Sequence, residues 1–125
     1  MSILARSLAW LLAAAVTFAT LGPPGLRPHS DLGQDSEHAL AFILVGLAFG
    51  LAYRNRRWTV AAVAVVLIGL LELMQFGALG RHPRLEDFLV DAGTACIGFA
   101  LATVADWVLT RFRANSALTN QGPAE

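Results

Sequence analysis

The sequence predicts an all-α polytopic membrane protein, with four transmembrane helices in an antiparallel bundle, on three observations. Of its 125 residues 56% are apolar and only 14% charged, too few charges to cover a soluble domain of this size. The apolar residues are gathered into four continuous runs, unlike the many short alternating segments of a closed barrel. The runs are close to the roughly 20 residues that a helix needs to cross about 30 Å of hydrocarbon.

The first run extends from Ile3 to Leu21. Arg6 ahead of its apolar core, with small residues at Ala19 and Thr20, gives it some features of a signal peptide. The run outlasts a usual h-region, and its removal would leave three spans, so a retained span is the better reading. Loop one, GPPGLRPHSDLGQDSE from Gly22 to Glu37, carries Pro23, Pro24 and Pro28, which forbid continued helix. The second run, His38 to Tyr53, has about 16 residues and is short, so its N-terminal end belongs in a thin or polar region. An RNRR turn leads to the third run, Trp58 to Leu79, and the short loop GRHPRLED leads to the fourth, Phe88 to Thr110. Residues 1–113 therefore form one membrane domain. The polar, small ANSALTNQGPAE stretch at 114–125 reads as a disordered tail.

All nine basic residues are arginines, against nine acids. Arg6, Arg54, Arg56, Arg57, Arg111 and Arg113 fall on one side of a four-span arrangement, and Arg27, Arg81 and Arg84 on the other. Six against three favours both termini in the cytoplasm. The basic turn is thereby explained by topology, and nothing calls for nucleic acid. Cys96 has no partner for an intramolecular disulfide and reads as a small packing residue. There is no HExxH or other close-spaced metal pattern, no GxSxG and no phosphate-cradling glycine loop. No metal or cofactor is expected.

Four spans bring distant residues to one membrane face. The exits of spans one and three and the entries of spans two and four gather Arg27, His38, Glu72, Gln75, Arg81, Asp87 and Asp91. Glu72 follows VAAVAVVLIGLL and would lie roughly 10 Å inside the helix end. There an ionised side chain is costly and a functional role is the default reading. Glu72 and Gln75 share one helix face, as do Asp87 and Asp91. Arginine forks suit bidentate capture of phosphate, which points to Arg27 and Arg81. His38 titrates near neutral pH and, with Glu72 and Asp87, is a candidate general acid or base. Each residue also has a structural reading: Glu72 and Gln75 as interhelical hydrogen-bonders, Arg27 and Arg81 as snorkelling residues, Asp87 as a charge at a helix N-terminus. Below the cluster, Gly46 and Gly50 form a GxxxG pair, and Asp91, Ala95, Gly98 and Ala102 form a small-residue stripe, both suited to close helix packing.

LGPPGLRPHSD before span two, EHALAF with His38, ELMQF with Glu72 and Gln75, and GRHPRLEDFLVDAGTACIG with Arg81, Asp87, Asp91 and Gly98 together resemble the VanZ-like family of small bacterial membrane proteins. The resemblance covers about Leu21 to Gly98; Asp91 stands where family members usually have asparagine, and Thr94 where they have glycine. It implies a four-helix protein of the bacterial cytoplasmic membrane, linked through the founding members to teicoplanin-type glycopeptide resistance. The expectation that follows is binding of an anionic envelope lipid headgroup, such as that of a polyprenyl-phosphate-type lipid, in the outward-facing polar cluster. Two alternatives stand beside it: a membrane enzyme that transfers or hydrolyses a phosphate or acyl group on a lipid carrier, and a structural subunit with no ligand. Membrane lipids are the expected partners, and an exposed small-residue face leaves homo-oligomerisation open.

Overall fold

A computed structural model describes residues 3–21, 34–74 and 85–120, and its regular structure is entirely helical. Four α-helices follow in order: α1 (Ile3–Leu21), α2 (Gln34–Ala52), α3 (Arg57–Met74) and α4 (Leu85–Asn120), with a 3₁₀ turn at Arg54–Arg56 joining α2 to α3. Stretches 3–21, 54–74 and 85–116 are long and apolar enough to cross a membrane, while 36–52 within α2 is a shorter apolar helix. Between their ends the helices turn large apolar side chains outward. Leu8 and Leu11 on α1, Val66 and Leu73 on α3, and Ile97 and Val104 on α4 are all exposed. Alanines and phenylalanines dominate the interior. A leucine-rich exterior around an alanine-rich interior is costly in water and suits hydrocarbon, which marks a membrane protein.

The closest packing is between α2 and α4, and glycine makes it. A Cβ on Gly46 would run into the Ala95 carbonyl. One on Gly98 would strike the Ile43 carbonyl and stand 2.6 Å from the Leu47 nitrogen, and one on Gly50 would stand 2.6 Å from the Ala102 Cβ. Rising numbers on α2 meet rising numbers on α4, so these two helices run side by side in the same direction. The two small-residue stripes visible in the sequence are the two faces of this seam. Cys96 is exposed, contrary to its reading as a packing residue. It follows Ala95 by one position, about 100° around the helix from the inward stripe.

Two layers of core fill the bundle. One consists of Ala9, Phe49, Ala52 and Phe99, and the other of Val16, Phe42, Ile68 and Ala95. Beyond the first layer lies a polar lock. Arg57, only 14% exposed, pairs with Asp106, as does Arg54 at 3.1 Å. Arg57 also donates to the Thr103 hydroxyl at 3.3 Å and, through Nε, to the Gly50 carbonyl at 3.0 Å. That carbonyl belongs to the last turn of α2, where helical acceptors lack intrahelical donors. One guanidinium therefore caps α2 and ties the turn to α4. Nearby, the Trp10 indole donates to the Tyr53 hydroxyl at 3.1 Å, Phe49 stacks on Tyr53, and the Arg6 guanidinium lies over the Tyr53 ring.

Element boundaries depart from the sequence expectation in two places. α2 begins at Gln34, four residues before His38, because no helix breaker stands between Gly33 and the apolar run. α4 continues to Asn120, so the helix extends past Arg113 into the 114–125 stretch that its composition marks as a tail. A nucleated helix propagates at low cost through alanine and leucine, and no glycine or proline follows until Gly122 and Pro123. At 36 residues α4 is about 54 Å long, so it outruns the roughly 30 Å of a hydrocarbon layer.

Candidate functional site

One helical turn beyond the Val16, Phe42, Ile68 and Ala95 layer, each helix carries a polar residue. Thr20 follows Val16 by four residues, His38 precedes Phe42 by four, Glu72 follows Ile68 by four and Asp91 precedes Ala95 by four. Residues four apart share a helix face, so the four packed side chains carry Thr20, His38, Glu72 and Asp91 inward as the next layer. Thr20, Glu72 and Asp91 are buried, the two acids to 8% and 7% exposure.

Thr20 donates its hydroxyl proton to the Val16 carbonyl at 2.8 Å. Its oxygen lies 3.5 Å from His38 Nε2, the outer limit of a hydrogen bond. The His38 ring meets Phe42 edge to face, with centroids 6.0 Å apart. These contacts fix the imidazole between α1 and α2. On the other pair of helices, Asp91 is close enough to Glu72 and Asp87 for their charges to act on it. Asp87 itself is exposed in the first turn of α4, where a negative charge favours the helix dipole. At this end the described residues therefore hold two polar pairs, Thr20 with His38 and Glu72 with Asp91, with Asp87 exposed beside the second.

The sequence expectation thus divides. His38, Glu72, Asp87 and Asp91 are placed at one end of the bundle. Arg27, Gln75 and Arg81 lie outside the described residues. Thr20 escaped sequence reasoning because a threonine near the end of an apolar run looks like any boundary residue. Its register, four after Val16 and eleven after Ala9, is the signal that marks it. Among the described residues, no group of three or more His, Cys, Asp or Glu side chains is arranged to hold a metal ion. Chemically, these side chains can orient the donors of a bound group, hold arginine side chains in place, or exchange a proton.

The fold and this polar layer define the class as a small helical membrane protein with an ionisable site at one end. Comparison with family models, with curated proteins and with solved structures finds no match to the chain.

Proposed function

We propose that this is a VanZ-like protein of the bacterial cytoplasmic membrane that binds the anionic headgroup of a cell-envelope lipid in the polar layer. The carrying observation is that each of the four helices carries a polar side chain, Thr20, His38, Glu72 or Asp91, one turn beyond a shared apolar core layer. All four helices then cross the membrane in an antiparallel bundle, with both termini and the Arg54–Arg57 lock at the cytoplasmic face. The arginine excess on that side supports this orientation, as do exposed Trp58 and Trp107 at the same end as the lock. In this scheme Arg27 and Arg81 contact phosphate, Gln75 and His38 orient it, and Glu72, Asp87 and Asp91 hold the arginines. Buried carboxylates need such cations, since two acids facing each other in low dielectric are costly. The resemblance in the Leu21–Gly98 motifs points to an envelope precursor of the polyprenyl-phosphate type and to an effect on teicoplanin-type susceptibility.

Mass spectrometry of lipids that co-purify with the protein tests this directly. Wild type should enrich one phosphorylated envelope lipid, and Arg81→Ala and Glu72→Gln should lose it. Bulk membrane composition in all three would remove the headgroup reading and leave the polar layer a structural one. A catalytic version is favoured by the placement of the His38 imidazole against Thr20. It requires turnover of a labelled phospholipid by purified protein, abolished by His38→Ala.

A further inference from the structure

An apolar groove of about 1020 Å³ runs between α1 and α3, with α2 and α4 as its floor. Its lining extends from Trp10 and Tyr53 at one end to Leu21 and Met74 at the other, and the described residues that line it include no charged one. We infer that this groove holds the hydrocarbon tail of a single lipid whose headgroup sits on the Thr20, His38, Glu72 and Asp91 layer. The inference rests on the headgroup reading above and adds the tail and its path.

Three features commit the groove to a lipid tail. First, its upper end meets the polar layer without a break: Leu21 adjoins Thr20, and Leu71 adjoins Glu72. One amphiphile can satisfy both surfaces. Second, the lined length fits. From Trp10 to Leu21 is about 16 Å along α1, and from Thr59 to Met74 about 22 Å along α3. One leaflet supplies roughly 15 Å of hydrocarbon, whereas a crossing helix occupies about 30 Å. Third, the α1 and α3 walls combine the small residues Ala13, Ala14 and Ala64 with Phe18, Leu67, Leu70 and Met74, large side chains, Met74 among them flexible, that can close over a mobile chain.

Trp10 stands at the far end of the groove and reports on it. The test uses full-length protein carrying Trp58→Phe and Trp107→Phe, so that Trp10 is the remaining tryptophan, in phosphatidylcholine vesicles. Phosphatidylglycerol brominated near its chain ends is added in small proportion as a quencher. Saturable quenching of Trp10 is expected, and it should be lost in Ala64→Phe and, independently, in Ala13→Leu, both of which fill the groove. Quenching that only rises in proportion to the brominated lipid, as for any lipid-facing tryptophan, would overturn the inference. So would protection of Trp10 in a protein that cross-links as a dimer across this face, since a second copy would then be the occupant. Brominated phosphatidylcholine is the control for the headgroup. If it quenches as saturably as the anionic lipid, the groove holds a tail and it is the anionic headgroup reading that fails.

Discussion

Adding one methyl group at Gly98 should push α2 and α4 apart. A Cβ there would stand 2.6 Å from the Leu47 nitrogen and strike the Ile43 carbonyl, whereas unstrained heavy atoms sit about 3.5–4.0 Å apart. Both obstacles are backbone, so no side chain can swing aside, and the seam must open by about 1 Å. Overpacking of this kind costs about 1–3 kcal/mol. Gly93 supplies the control five residues earlier on the same helix, because a Cβ there meets none of the described residues within 4 Å. Gly93→Ala should therefore gain the usual helix preference of alanine over glycine, about 0.5–1 kcal/mol. The same substitution on one helix is thus expected to change stability in opposite directions. Equilibrium unfolding in mixed micelles of rising SDS content, followed by helical circular dichroism, measures both. A Gly98→Ala protein as stable as Gly93→Ala would refute the account of the seam.

The polar lock should fail by degrees. Arg57→Ala removes charge-assisted contacts to Asp106, Thr103 and the Gly50 carbonyl and should cost about 1.5–3 kcal/mol, while Arg57→Lys keeps the charge, loses the fork and costs less; equal losses in the same unfolding assay would count against the fork geometry. Trp10→Phe and Tyr53→Phe each remove one partner of the 3.1 Å hydrogen bond at about 0.5–1.5 kcal/mol. A double-mutant cycle should then show the pair costing less than the sum of the singles, and additive losses would mean that the bond contributes nothing. In the proposed scheme Asp91 helps to hold the arginines, so Asp91→Asn, which keeps the side chain's shape, should lower the melting temperature. A rise would show that no cation balances the charge of Asp91 beside Glu72 and Asp87.

The four helices and the glycine seam were legible in the sequence because both depend on local pattern: unbroken apolar runs, and small residues spaced by three or four. Helix ends were less legible. The polar composition of residues 114–120 suggests disorder, yet helix ends where propagation stops, and that depends on breakers more than on polarity. His38, Glu72, Asp87 and Asp91 could be assigned to one end of the bundle from topology alone. Their grouping into a layer with Thr20 could not, because it depends on which face of each helix the Val16, Phe42, Ile68 and Ala95 contacts turn inward. The partners of Asp106 at the other end were not legible, because its pairing with Arg54 and Arg57 depends on how the 3₁₀ turn places both arginines beside α4.

If four helices cross the membrane, the polar layer lies at one outward face, and single-cysteine labelling decides whether they do. In a Cys96→Ala background, intact cells carrying His29→Cys, His82→Cys, Asn55→Cys or Ser116→Cys are treated with a membrane-impermeant maleimide. Labelling of the His29 and His82 variants is expected on intact cells, and of the Asn55 and Ser116 variants only after permeabilisation. Labelling of the Asn55 and His82 variants from the same side would mean that α3 does not cross, and the proposed site could not form at one face.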